Sequence, residues 1–137
     1  MDPKAGLTRR NKVQIVLVDD DEVFCTMLSK VVSRQEDMDL MVMSRLKEMS
    51  RYGDWDGVDL LILDYDLYDG TGLEAVDLMS KIAPNVPIVI ASGTDRKHDA
   101  SKDPRILGFI SKWEANEAFV TKVRHFGALT KDMTDAS

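Results

Sequence analysis

Apolar runs and helically spaced apolar positions alternate along this chain. Val13-Gln14-Ile15-Val16-Leu17-Val18 is rich in β-branched residues, reads as a strand and ends abruptly in Asp19-Asp20-Asp21-Glu22. Val23, Phe24, Met27, Leu28, Val31 and Val32 then recur at helical spacing, with Asp21 or Glu22 favourable at the helix start. Leu40 to Met43 predicts a short second strand, and residues 45–52 a short second helix closed by the turn-rich Gly53-Asp54-Trp55-Asp56-Gly57. At residues 59–64 four consecutive aliphatic residues run straight into Asp64, the pattern of a strand buried on both faces.

A third helix is predicted from Gly72 to Ile82, with Leu73, Val76, Leu78, Met79 and Ile82 as its apolar positions. The fourth strand, Ile88 to Ala91, follows Pro84 and Pro87 and leads into Ser92-Gly93-Thr94. Residues 95–105 have hardly any apolar face, so a fourth helix there is expected to be short or irregular. Ile106 to Ile110 reads as the fifth strand, followed by Ser111-Lys112-Trp113. The fifth helix is expected over roughly Glu114 to Phe126, with Gly127 as its stop.

Five alternations of strand and helix argue for an α/β fold with a parallel sheet between helices and right-handed crossovers. Strand order is not visible in periodicity, and the flavodoxin-like order 2-1-3-4-5 is one of the few permitted. With 137 residues the chain makes one domain. The expected division is a polar, flexible leader over 1–12, the domain over 13–127 and a mobile tail over 128–137. Composition narrows the function classes. The net charge of −6 argues against nucleic-acid binding by this domain, and no run approaches the length of a membrane span. The lone Cys25, among apolar helix positions, has a packing role and suits the cytoplasm.

In open α/β sheets, ligands bind beyond the carboxyl ends of the strands. That edge would collect Asp19 and Asp20 from the first strand, Asp64 and Asp66 from the third, Ser92 from the fourth and Lys112 from the fifth. Two carboxylates 4 Å apart repel by about 4 kcal/mol at an effective dielectric of about 20. A hard cation is the simplest remedy, and Mg²⁺ favours a couple of carboxylates with room for water and phosphate oxygens.

Four segments carry a resemblance. Val16-Leu17-Val18-Asp19-Asp20-Asp21-Glu22, Leu61-Ile62-Leu63-Asp64, Ile90-Ala91-Ser92-Gly93 and Gly108-Phe109-Ile110-Ser111-Lys112 are similar, in order and spacing, to the CheY-like receiver domain of two-component response regulators. The resemblance covers residues 13 to about 126. It implies a flavodoxin-like, doubly wound five-stranded sheet and a phosphoacceptor that is not an enzyme acting on other molecules. Asp64 would take a phosphoryl group from a histidine kinase or histidine phosphotransfer protein. Asp20 and Asp64 would bind Mg²⁺, Asp20 directly, with Asp19 acting mainly through water and Asp66 through its backbone carbonyl. Ser92 and Lys112 would hold phosphoryl oxygens, and Ser92 would act as a switch with Phe109, which occupies the aromatic switch position. The implied output is a homodimer or downstream partner on the face of the fourth helix, fifth strand and fifth helix.

Tyr68 and Trp113 stand where the family usually has prolines, and the fourth-helix segment is polar. A cis peptide before a non-proline costs about 2.5–4 kcal/mol, so a trans bond is expected before Trp113, with a shifted Lys112 loop. These departures motivate an alternative, a phosphorylation-independent pseudo-receiver that acts by binding alone. Asp64-x-Asp66 also resembles the first motif of haloacid-dehalogenase-type phosphatases, but there the acidic pair should come late in the chain rather than at Asp19-Asp20. A nucleotide-binding flavodoxin-like domain would need a glycine-rich phosphate loop where this chain has four acids.

Overall fold

The computed structural model of the chain describes residues 12–67, 69–93, 103–112 and 116–135, as backbone only at Asn116 and beyond Phe126. Its strands are β1 (Val13–Val18), β2 (Met38–Met43), β3 (Leu60–Asp64), the short β4 (Asp66–Leu67) and β5 (Gly70–Thr71), β6 (Ile88–Ser92) and β7 (Ile106–Ser111). The helices are α1 (Glu22–Ser33), α2 (Leu46–Arg51), α3 (Gly72–Ile82) and α4 (Asn116–Asp135), with a 3₁₀ turn at Trp55–Gly57. β2, β1, β3, β6 and β7 form one parallel sheet in that order, which is the expected 2-1-3-4-5. Four helices flank it among the described residues, where five were expected. The fourth-helix segment, Tyr68 and the bond before Trp113 lie largely or wholly outside those residues.

Side chains alternate across the strands and divide the core into two layers. Ile15, Leu17, Ile62, Val89 and Ala91 pack against Phe24, Leu28 and Val32 of α1 and Phe119, Val120 and Val123 of α4. Val16, Val18, Leu61, Leu63 and Ile90 pack on the other face against Met49 of α2, Trp55, and Ala75, Val76 and Met79 of α3. All five residues of β3 and all five of β6 are buried, which accounts for their unbroken apolar runs.

Local chemistry fixes the helix starts. The Asp21 carboxylate accepts from the Phe24 N–H at 3.1 Å and caps α1. Thr71 caps α3, its hydroxyl accepting from the Glu74 N–H at 3.1 Å. α2 receives its cap from far along the chain: the N–H groups of Leu46 and Lys47 donate to the carboxylate of Asp69, at 2.8 and 3.2 Å.

Three sequence expectations are corrected. Val23, assigned to the apolar face of the first helix, is 80% exposed, because the buried stripe of α1 runs through Phe24, Cys25, Leu28 and Val32. Gly127 does not end the last helix, which continues to Asp135. A glycine inside a helix costs only about 1 kcal/mol relative to alanine, and good helix formers follow it. The second strand starts at Met38 rather than Leu40, since Asp39 pairs at the sheet edge with Lys12 at 3.6 Å and Gln14 at 3.0 Å.

Candidate functional site

The site forms at the carboxyl edge of the sheet, where β1, β3, β6 and β7 end side by side. Asp19, directly after β1, is turned inward and 1% exposed. Its Oδ1 accepts from the Asp21 N–H at 2.9 Å, so the turn into α1 holds it in place. The Cys25 thiol donates to the Asp19 carbonyl at 3.3 Å, which gives the buried cysteine a packing role under the site. Asp64 ends β3 and is 5% exposed. Asp20 is exposed beside them, and one carboxylate oxygen from each of Asp19, Asp20 and Asp64 lies within 4.8 Å of the others.

Lys112 enters this cluster from the end of β7. Its backbone N–H donates to the Ser92 carbonyl at 3.0 Å, which continues the β6–β7 ladder and aims the side chain back across the strand ends. The ammonium lies 2.5 Å from Asp19 Oδ2 and 3.3 Å from Asp64 Oδ1, and 4.9 Å above the Phe24 ring. The lysine thus bridges the two buried carboxylates, and Phe24 supplies an apolar seat with its own attraction for the cation. Ser92 is 2% exposed at the end of β6, one position beyond Ala91, the register partner of Asp64.

Burial dominates the electrostatics. Loss of hydration, reinforced by the neighbouring Asp19 charge, pushes the Asp64 carboxyl up to about 7, although Lys112 and a bond from the Asp66 N–H act against it. Asp19 is raised for the same first reason. Burial pulls Lys112 down, but Asp19 and then Asp64 outweigh it and hold the ammonium above its ordinary range. The charge balance on the described buried groups is therefore two carboxylates against one lysine, with Asp20 adding a further negative charge at the mouth.

Of the residues singled out in the sequence, the structure brings together Asp19, Asp20, Asp64 and Lys112, with Ser92 at the adjoining strand end. Asp66 touches the site through its backbone N–H, while its side chain is exposed. Phe109 lies elsewhere, half-buried against the α2 and α3 layer. Phe24 was read only as a helix core position; its place under Lys112 depends on strand order and leaves no local signal. An open cleft of ≈ 380 Å³ leads in, lined by Val23, Phe24 and Met27 on one side and by Asp20, Asp64, Asp66 and Lys112 on the other.

Comparisons with known proteins agree with this fold. The profile of the response regulator receiver domain matches residues 15–124. The two-component response regulator ARR21 of Arabidopsis thaliana is 26% identical over 121 residues, which is 88% of this chain and 20% of that protein. The chain thus spans about a fifth of the length of that curated relative. The signal receiver domain of a Luxo repressor protein from Vibrio parahaemolyticus superposes with a TM-score of 0.79 at 16% identity, covering 92% of this chain and 98% of that one. The BeF3-activated N-terminal receiver domain of RstA from Klebsiella pneumoniae gives 0.70 at 23% identity, covering 83% and 97%. A CheY-like receiver domain protein from Methanospirillum hungatei gives 0.74 at 15%, covering 89% and 98%. With the family profile over most of its length and that fold beneath it, the chain belongs to the response regulator receiver domain family of two-component signalling.

Proposed function

We propose that the chain accepts a phosphoryl group on Asp64 from a phosphohistidine of a kinase or phosphotransfer protein, with Mg²⁺ required, and that the modified form changes which partner it binds. The observation that carries this reading is the Lys112 ammonium held between the buried carboxylates of Asp19 and Asp64 at the strand ends. A buried carboxylate flanked by a second one and by a cation is suited to receive a group that brings more negative charge.

The donor set fits a hard divalent cation: three carboxylate oxygens lie within 4.8 Å, one of them on the exposed Asp20, with open cleft beyond. Asp20 and Asp64 would hold the ion, with Asp19 acting through water and the Asp66 carbonyl completing the set. When bound, Mg²⁺ neutralises the acidic cluster and draws charge from the phosphoryl oxygens.

In the transfer, an Asp64 oxygen forms a bond to phosphorus as the phosphorus–nitrogen bond of the donor breaks, and the imidazole nitrogen leaves with the electron pair. Positioning and charge neutralisation are most of the work in such a step. Lys112 is already 3.3 Å from Asp64, so its ammonium need only turn to meet a phosphoryl oxygen. Ser92 would donate its hydroxyl to another, and Phe109, half-buried on β7, would follow the movement of that strand end. A histidine kinase or phosphotransfer protein is the donor, and the output is a homodimer or a downstream protein. The chemistry is confined to the chain's own phosphorylation and dephosphorylation. Among the described residues no helix is long and apolar enough to cross a membrane, and the cytoplasm is the proposed location.

The test is intact mass after incubation with acetyl phosphate and Mg²⁺. A gain of one phosphoryl group by the parent, absent from Asp64→Asn and absent with EDTA, is expected. No gain under conditions that modify another receiver domain would overturn the proposal in favour of the pseudo-receiver.

A further inference from the structure

The β2 edge of the sheet carries an inference that does not depend on the phosphoacceptor reading. Two hydrogen bonds frame the β1–β2 ladder, from the Val13 N–H to the Asp37 carbonyl at 2.8 Å and from the Asp19 N–H to the Met43 carbonyl at 2.9 Å. Between them the register runs from Val13↔Met38 to Val18↔Met43. Backbone groups alternate sides along a parallel strand, so Asp39, Met41 and Met43 turn theirs toward β1. Leu40 and Val42 direct theirs off the sheet, and among the described residues no hydrogen bond meets them.

Natural edge strands are usually guarded by lysine, proline or a bulge. β2, Met-Asp-Leu-Met-Val-Met, has one carboxylate and none of these guards, and Met41 and Val42 are 44% and 39% exposed. A cleft of ≈ 810 Å³ opens beside this edge. Its lining comes from β1, β2 and residues 52–58, and none of it from the six-residue α2. A helix of that length covers about 9 Å. β2, also of six residues, runs about 20 Å, more than such a helix could cover. Met41, Tyr52 and Val58 line the cleft with apolar surface, and Asp39, Asp54 and Asp56 line it with charge. No basic residue lines it among the described ones; Lys12, outside the lining, offsets Asp39 at 3.6 Å and leaves Asp54 and Asp56 exposed.

We propose that β2 and this cleft receive an extended segment of a partner protein, added as a sixth strand, in which lysine or arginine alternates with apolar residues. Main-chain bonds to Leu40 and Val42 would supply the pairing, as when peptides add to sheet edges elsewhere. Side chains of the added strand alternate between the two faces. On the cleft face a long basic side chain lays its stem on Met41, Tyr52 and Val58 and extends its charge to the carboxylates. On the opposite face an apolar residue packs beside Val42. A second copy of the chain fits less well, since its own β2 edge brings another acidic cleft and no cation to offset it.

The experiment follows amide shifts and hydrogen exchange in the ¹⁵N-labelled chain during titration with an acetylated, amidated hexapeptide of alternating lysine and valine. Protection is expected at Leu40 and Val42, with no binding by a glutamate–valine peptide of the same length. Val42→Pro removes an outward N–H without touching the ladder to β1, a place where edge strands tolerate proline. It should weaken binding about fivefold or more, the effect of losing one hydrogen bond. A peptide methylated at alternate backbone nitrogens makes the same test on the unchanged protein. Asp54→Lys with Asp56→Lys should also weaken binding and remove its salt dependence. Shifts confined to Asp19, Asp20 and Asp64, or affinity unchanged by both Val42→Pro and the methylated peptide, would overturn the proposal. A dimer in sedimentation that Val42→Pro abolishes would assign the edge to a second copy. Binding seen only after deletion of residues 1–11 would assign it to the chain's own leader.

Discussion

β3 and β2 belong to one parallel sheet with a single strand between them, and the sequence makes both almost wholly apolar. Every residue of β3 is buried, and the strand delivers Asp64 to the site. β2 forms the rim, with Met41 and Val42 exposed and only its last residue, Met43, buried in the layer that holds Met49 of the short α2. What separates them is position in the sheet: β3 has strands on both sides and a helix layer on each face, while β2 has one neighbouring strand among the described residues. Apolar composition marks a segment as a strand, and the topology decides whether its surface is spent inside the fold or left for something else.

The largest expected effect tests that contrast directly. Leu61 is fully buried in the layer facing α3, and Leu61→Ala should cost about 2–5 kcal/mol through lost burial and the cavity it leaves. Met41→Ala, also a truncation of a strand methionine or leucine, should stay within about 0.5 kcal/mol because its side chain is already in water for much of its surface. Urea unfolding of both variants gives the comparison, and equal losses would mean that the β2 face is covered.

The strand ends at the site also answer pH. Burial raises Asp64 from 3.8 to about 7, so between those values the folded chain keeps a proton that the unfolded chain has released. Without metal, stability should therefore fall as pH rises from about 4 to about 7. Asp19, raised by burial, acts in the same sense. Asp64→Asn removes the larger share of this slope and should unfold at higher urea than the parent at pH 7.5, with the difference gone near pH 4.5. Parallel profiles for the two proteins would sink this account. Mg²⁺ at tenfold its dissociation constant should restore about 1.4 kcal/mol to the parent at pH 7.5 and much less to Asp64→Asn.

Much of the arrangement was legible beforehand, for definite physical reasons. β1 and α3 have the ends read from the sequence, because acids, glycine and proline stand where the apolar pattern stops. The carboxylates and Lys112 were readable because each follows a buried strand, and strand ends meet at one edge whenever the sheet is parallel. The β4–β5 hairpin was not readable, since strands of two residues have no period. Its geometry depends instead on Gly72, whose N–H donates to the Tyr65 carbonyl at 2.6 Å and where a Cβ would come within 2.9 Å of the Tyr65 Cα. The choice Lys112 makes, closer to Asp19 than to Asp64, also needed the fold, because the two carboxylates and the Phe24 ring beneath the ammonium come from three separate elements.

A more local effect concerns the link between the two regions. α2 starts at Leu46 with no side-chain cap from its own N-cap residue, Arg45. A helix of six residues has little stability of its own, so the distant cap from Asp69 matters more than it would on a long helix. Asp69 stands between β4 and β5, five residues after Asp64, and its two oxygens hold the first two N–H groups of α2. Those bonds also pull the Asp69 carboxyl below its usual range, the Leu46 N–H first. Asp69→Ala should cost about 1 kcal/mol, the ordinary loss of a helix cap. Hydrogen exchange should quicken at Leu46 and Lys47 while β3 amides stay protected. Asp69→Asn keeps one acceptor oxygen and should recover part of the loss. If exchange in α2 is unchanged in both variants, the hairpin after Asp64 and α2 are independent, and a change at one would have no route through Asp69 to the other.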